Sequence, residues 1–302
     1  MGKGRIPMGG IPQRSDRRSA IGAMAAGLVM AAFMPRSASA VMAGVPPDSP
    51  DARIDPNTAG SPWAGVGAVL VDGRIYSGAL IGRRHVLTAA HVVGAASAGQ
   101  VGFQINAGDE SRRIAAEAVF RHPDYQDSGD AFPQFDAAII RLARDVPAAI
   151  PVYPFFEGAV VTGTPITMVG YGASGRGDEG PSIEIRADTR RMGRNVIDKL
   201  VPVPGSDTRA GVFIFDFDGP DPASNTTGGE GLGNSVEASV AVGDSGSPAF
   251  VVSGEHRAIV GIMGFVDDLD PEQSRLSRFG GIGGGTLVEP LREWIAEILR
   301  DC

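Results

Sequence analysis

A hydroxyl among glycines, an imidazole far upstream and a carboxylate between them are the parts of this 302-residue chain that could do chemistry. The hydroxyl is Ser245 in Gly243-Asp244-Ser245-Gly246-Ser247-Pro248, and the imidazole is His91 at the end of Leu87-Thr88-Ala89-Ala90-His91. A serine hydroxyl is a weak nucleophile at neutral pH, so an imidazole must take its proton during attack, and a buried carboxylate must fix the tautomer of that imidazole. Asp136 can supply the carboxylate. It opens the otherwise apolar run Asp136-Ala137-Ala138-Ile139-Ile140-Arg141-Leu142, where a charge without a partner would be costly. Accepting the Nδ1 proton of His91 would satisfy it. In that scheme Ser245 is the nucleophile, His91 the general base and then the general acid, and Asp136 the orienting group.

Elements that could position these residues are mostly strands. Gly65–Val71, Arg74–Ile81, Val101–Ile105 and Ala137–Leu142 are short apolar or alternating runs punctuated by Gly, Asp and Asn, the pattern of antiparallel strands joined by turns. Pro165–Tyr171, Ile183–Ala187, Val212–Phe217, Pro248–Val252, Ala258–Met263 and Gly285–Val288 repeat the style in the second half. The protein is expected to be all-β apart from its end. There Leu291, Trp294, Ile295, Ile298 and Leu299 follow helical spacing behind Pro290, a good residue to start a helix. Ala148–Gly158, with two prolines and little periodicity, reads as a crossover between halves.

The first forty residues differ from the rest. Arg14, Arg17 and Arg18 precede an apolar run of 15 residues, Ala20–Met34, and Ala38-Ser39-Ala40 then offers small residues for cleavage. This is the pattern of an export signal, with a mature chain starting near Val41. A spanning helix needs about 18 apolar residues or more, so the run is short for a retained anchor. Arg17-Arg18 leaves twin-arginine and general secretory export both open. Residues 41–53, rich in Pro, Asp and Ala, read as a linker or pro-segment.

Without residues 1–40 the chain keeps 21 basic and 34 acidic residues, moving its net charge from −8 to −13. That sign repels phosphate backbones and anionic headgroups, so neither nucleic acid nor, after signal removal, a membrane surface is an expected partner. Cys302 is the sole cysteine, so no intrachain disulfide can form, although the expected compartment, periplasmic or extracellular, is oxidising.

Other motifs read as loops. The Gly-rich stretches Gly170–Gly180 and Gly229–Asn234 lack the following helix and the lysine of a phosphate-binding loop. Asp216, Asp218 and Asp221 are spaced loosely enough for a calcium site but lack the twelve-residue loop with its terminal Glu. A solvated acidic loop is expected there and a structural calcium stays open; no cofactor is expected.

The order His91, Asp136, Ser245 and the strings around them resemble the trypsin/chymotrypsin-like serine protease family, in a disulfide-free form. Subtilisin-like and α/β-hydrolase enzymes order their triads differently, and the latter use a Gly-x-Ser-x-Gly elbow that Ser245 lacks. Ser77-Gly78-Ala79-Leu80-Ile81, His122-Pro123-Asp124-Tyr125, Val169-Gly170-Tyr171-Gly172 and the Trp-bearing terminal helix extend the resemblance across about 54–302. It implies two six-stranded antiparallel β-barrels, over 54–150 and 151–302, with the site in the cleft between them. It implies an oxyanion hole from the backbone N–H groups of Gly243 and Ser245. It also implies that Asp244 pairs with a new N-terminus released by proteolysis, for which Arg53-Ile54 is the candidate cut and Ile54 the new end. By spacing, Ser239 should floor the primary pocket, with Gly264, Phe265 and Val266 as its wall. A neutral Ser239 and the bulk of Val266 favour small or medium apolar side chains. The expected function is an exported serine endopeptidase acting on proteins or peptides. The competing expectations are a narrow processing protease, an esterase, or a binding protein on the same scaffold.

Overall fold

Asp72 and Gly73 both adopt positive φ, 48° and 80°. This is the backbone of a two-residue type I′ turn, which Asp-Gly favours and whose twist suits antiparallel strands. It joins β1 (Val66–Val71) to β2 (Arg74–Leu80) in register from Val71↔Arg74 to Val66↔Ala79. The computed structural model describes residues 41–58, 60–108, 110–126, 132–269 and 274–300; the expected export signal lies outside them. β3 (His85–Thr88), β4 (Val101–Ala107), β5 (Glu110–Arg121) and β6 (Ala138–Leu142) complete a closed barrel in the order β1-β2-β3-β6-β5-β4. Val66, Ala68, Leu80, Phe103, Ile105, Ile139 and Leu142 are among the residues filling it.

The second half departs from a six-stranded ring. β7 (Pro165–Gly170), β10 (Arg191–Val196), β11 (Lys199–Pro202), β12 (Ala210–Asp216), β13 (Pro248–Ser253), β14 (His256–Asp267) and β15 (Ile282–Leu287) form a seven-stranded sheet, ordered β10-β7-β13-β14-β15-β12-β11. Its two edge strands are consecutive in the chain and only Ile197 and Asp198 separate them, so the sheet must curl until its edges meet at that corner. Ile197 is buried there, and its N–H bonds Thr164. β8 (Ser174–Arg176) and β9 (Gly180–Ile183) form a separate hairpin. The expected strand over Ile183–Ala187 therefore ends at Ile183. With its antiparallel strands, closed barrel and terminal helix, the molecule has the chymotrypsin-like fold.

The crossover ties the halves together. Tyr153 gives its N–H to Leu80 O (2.9 Å) and its hydroxyl to Pro62 O (3.0 Å) in the first half. Phe156 gives its N–H to Ile259 O (2.9 Å) in the second. Phe250 of β13 sits against Tyr153 (centroids 4.8 Å) and Trp63 (5.1 Å), and Arg257 lies over the Trp63 ring. A single 3₁₀ turn at Glu289–Leu291 and α2 (Arg292–Arg300) return to the first barrel, where Leu291 of the turn and Ile295 of the helix pack into its core.

Residues 41–43 are not a loose linker. Val41, Met42 and Ala43 are fully buried, and Met42 and Ala43 bridge Ser239 and Arg176. The apolar character of the three side chains outweighs the polar, Pro-rich stretch after them.

Candidate active site

β3 and β6 pair with Thr88 opposite Ala138. That register sets the residues beyond Thr88 beside those before Ala138, so His91, in the short helix α1 (Ala90–Val93), comes to Asp136. His91 Nδ1 lies 2.6 Å from Asp136 Oδ2, and the His91 N–H donates to Asp136 Oδ1 at 2.9 Å. Asp136 is 1% exposed while the His91 side chain is 31% exposed. The carboxylate is thus spent on the imidazole, with the rest of the ring facing solvent. Phe135, at φ 56°, turns the chain into Asp136 and stacks its ring on His122 (4.9 Å), which also meets Trp294 of α2 (5.0 Å). This gives His122-Pro123 and the terminal tryptophan one purpose: bracing the Asp136 loop.

The loop of Ser245 is sewn to the first barrel by Ser77 of β2. The Ser77 N–H donates to Ser245 O (3.0 Å), its hydroxyl donates to Gly243 O (3.1 Å), and the same oxygen accepts the Tyr171 N–H (2.9 Å). Thr88 closes the patch by donating to Ser77 O (2.8 Å). Gly246 packs so closely on Thr88 and Ser77 that a Cβ there would collide with both. These contacts bring Ser245 to the end of β3, three residues short of His91. Across the cleft, a Cβ on Gly264 of β14 would stand 3.2 Å from Asp136 Oδ2, so the second half backs the carboxylate.

Gly243 has φ 92°, a conformation that side chains other than glycine's rarely adopt. Among the described residues, neither its N–H nor that of Ser245 is given to a protein acceptor. Two such N–H groups on one loop can bind a developing oxyanion. A cavity of about 260 Å³ opens beside Ser245, lined by Val240, Ala241, Val242, Met263, Gly264, Phe265 and Val266 together with Asp244. Gly264, Phe265 and Val266 are where the sequence places them. Ser239 is not in the lining; it is buried one residue behind it, its carbonyl accepting the Met42 N–H.

Asp244 is the largest departure from expectation. Its carboxylate accepts the N–H groups of Val41 (3.0 Å), Ala241 (3.0 Å) and Gly172 (2.9 Å). Burial pushes its pKa up to about 6, and those amides with Arg191 oppose the rise. Gly172 has no room for a Cβ against Asp244, which explains the Gly-Tyr-Gly string. Ile54, the expected partner, is elsewhere: it is 39% exposed and its N–H bonds Asp51 O. Arg53 is equally unsuited to be a cut, because its buried guanidinium pairs with Asp48 and donates to the carbonyls of Val236 and Glu237. Reading residues 41–53 as one segment hides the Val41 contact. The signal that could reveal it is local, since Val41-Met42-Ala43 is more apolar than residues 46–53.

The acidic cluster is also regrouped. Asp216 and Asp218 meet Glu237, not Asp221, with one oxygen of each within 4.8 Å of the others. Asp221 instead caps the short turn Pro222–Ser224. Asp216 Oδ2 accepts the N–H groups of Thr226 (2.6 Å) and Thr227 (2.7 Å), and Glu237 those of Asp218 (2.6 Å) and Leu232 (2.6 Å). These carboxylates fold a loop around themselves instead of facing water. Burial first, then mutual repulsion, raises Asp218 to about 6 and Glu237 to about 7.

The family model described as Trypsin matches residues 57–295. Among solved structures, the VesB protease of Vibrio cholerae is similar at a TM-score of 0.51 and 23% identity, over 77% of this chain and 63% of VesB. The aligned part is therefore under two thirds of VesB. Neuropsin, a serine protease expressed in the limbic system of mouse brain, is similar at 0.57 and 20% identity, over 82% of this chain and 98% of neuropsin. At such identities the likeness is one of fold. No curated protein sequence matches the chain. The family match spans both halves and every residue placed around the cleft except those of the entry segment 41–56, and on that ground the chain belongs to the Trypsin family.

Proposed function

We propose that this chain is an exported serine endopeptidase that hydrolyses peptide bonds through an acyl-enzyme intermediate. The observation that carries the reading is the contact of 2.6 Å between His91 and an Asp136 carboxylate shielded from water, with the Ser245 loop held at the end of β3, the strand that leads to His91. Ser245 Oγ attacks the scissile carbonyl and its proton passes to His91. Asp136 stabilises the imidazolium that results. The N–H groups of Gly243 and Ser245 take the oxyanion, and collapse expels the amine with the proton from His91. Water then repeats the sequence on the ester. The cavity beside Ser245 is apolar, and its one carboxylate, Asp244, is fully engaged by backbone N–H groups. That supports small or medium apolar side chains before the cut, with Val266 as the limiting wall. The leader-like first forty residues support export, and no helix among the described residues is long and apolar enough to cross a membrane.

Labelling the processed protein with a fluorophosphonate tests the chemistry. Ser245 should carry the label, and Ser245→Ala should lose both label and turnover, by about 10⁴-fold or more in kcat. Full peptidase activity in Ser245→Ala would refute the assignment. A peptide-library profile tests the pocket: cleavage after Ala or Val is expected, and dominant cleavage after Arg or Lys would refute it.

A further inference from the structure

Val41 occupies a position that an uncut chain holds only under strain. Its side chain is fully buried among Ile166, Met168, Ile197 and Phe213, yet its φ is 44°. For a β-branched residue that is a rare and strained conformation. The φ torsion is defined by the carbonyl carbon of Ala40, so hydrolysis of the Ala40–Val41 bond abolishes the strain while leaving the buried contacts in place. The same cut changes the charge. The Val41 nitrogen lies 3.0 Å from Asp244 Oδ2; the other hydrogen bonds to that carboxylate come from neutral backbone amides, and Arg191 acts on it as a positive charge from farther away. Water adds its oxygen to the Ala40 carbonyl carbon, the C–N bond breaks, and the released Val41 amine is protonated to an ammonium. Buried Asp244 then gains a countercharge in direct hydrogen-bond contact.

The residues before that bond name the class of enzyme that cuts it. Ala38 and Ala40 are the small residues at the third and first positions before the cut that a leader peptidase requires, behind the apolar run Ala20–Met34. No Arg or Lys stands at position 40, and the nearest upstream, Arg36, would leave four extra residues before Val41. We infer that removal of the export signal by leader peptidase at Ala40–Val41 is itself the activating cleavage, so that the chain has no separate zymogen stage. The inference rests on the peptidase reading above and deepens it.

The inserted segment reaches the working parts of the site. Val41 O accepts the Ser174 hydroxyl (2.7 Å), Met42 N–H bonds Ser239 O (2.8 Å) behind the pocket wall, and Ala43 N–H bonds Gly175 O (2.9 Å). Asp244 lies between Gly243 and Ser245, whose N–H groups would bind the oxyanion. Before export, the amide at Val41 supplies Asp244 with a hydrogen bond but no charge. The precursor is accordingly inactive in the compartment where it is made and active on delivery.

The test uses the full-length precursor, purified in detergent and treated with leader peptidase, as wild type, Ser245→Ala and Ala40→Arg. Wild type and Ser245→Ala should both be cut to chains beginning at Val41. Fluorophosphonate labelling of the wild type should then rise roughly 100-fold or more, the scale expected when a buried charge gains its partner. Ala40→Arg should resist leader peptidase and stay unlabelled until limited trypsin treatment frees Val41. Three results would overturn the inference: a precursor that labels as fast as the cut form, an active form starting at another residue, or a Ser245→Ala precursor that stays uncut because the protein cuts itself. Equal labelling of both forms would leave the peptidase reading standing. Absence of label in every form would remove the peptidase reading and the inference with it.

Discussion

The two sides of the cleft are built on different terms. His91 and Asp136, 45 positions apart in the chain, are brought together by one ladder of the first barrel, with Trp294 of the terminal helix bracing the Asp136 loop through His122. The Ser245 loop depends on remote tethers: Ser77 lies 166 residues from Gly243 and Val41 lies 203 residues from Asp244. One side is a property of a closed barrel. The other side is conditional, which is where a cleavage or a lost hydrogen bond can act.

The first side is most vulnerable at Asp136. Replacing it by Asn keeps the shape but lets His91 adopt the wrong tautomer, and kcat should fall by about 10⁴-fold. Steady-state kinetics at neutral pH check this, with unchanged circular dichroism showing the barrel intact. Ser77→Ala sharpens the contrast. It strands the Gly243 carbonyl and the Tyr171 N–H inside the protein, each at about 1–3 kcal/mol, so kcat should drop about 10- to 100-fold. The downfield Nδ1 proton of His91, read by NMR, should stay where it is in the wild type. A shifted proton would mean that the two sides are not independent.

The smallest effect concerns the acidic loop beneath the conditional side. Glu237 has its pKa raised from 4.5 to about 7, chiefly by burial, so the folded chain holds a proton that the unfolded chain has released. Stability from this group is therefore present at the acid end of that window and lost as pH rises through it. The melting temperature should decline between about pH 5 and pH 8, and Glu237→Gln should flatten the decline. An identical slope in the variant would show that other groups set it.

Legibility in the sequence divides along the same line. The proposed triad can be read because each member sits in a short string whose residue types its neighbours require: an Asp heading an apolar strand, a serine between Gly243-Asp244 and Gly246, a histidine after a strand. The Asp-Gly hairpin and the terminal helix are legible for the same local reason. β10 is not, since Arg191-Met192-Gly193-Arg194 shows no apolar alternation and Arg191 is buried with its Nε donating to Pro50 O (3.0 Å). β5 is obscured by charges that hide the alternation burying Ile114 and Ala116. Ile54 stands in for Val41 as the expected partner of Asp244 because nothing local to Asp244 distinguishes two apolar residues near the start of the chain. The acidic cluster cannot be grouped correctly without Glu237, which joins it from 19 residues beyond Asp218.

Fully buried Arg190 shows how a chain with one cysteine holds such distant parts. It pairs with Asp55 at 3.2 Å and donates to Val66 O at 3.0 Å, linking the entry segment, the first barrel and the second half.

The aromatic contacts at the crossover have a mechanical consequence. Tyr153, Phe250 and Trp63 behave as a pin through both halves, and spreading the cleft would have to pull three rings apart at once. The jaws are accordingly stiff. Any widening of the cleft must then come from the strips of chain at its rim, with the walls held at a fixed span by the three rings.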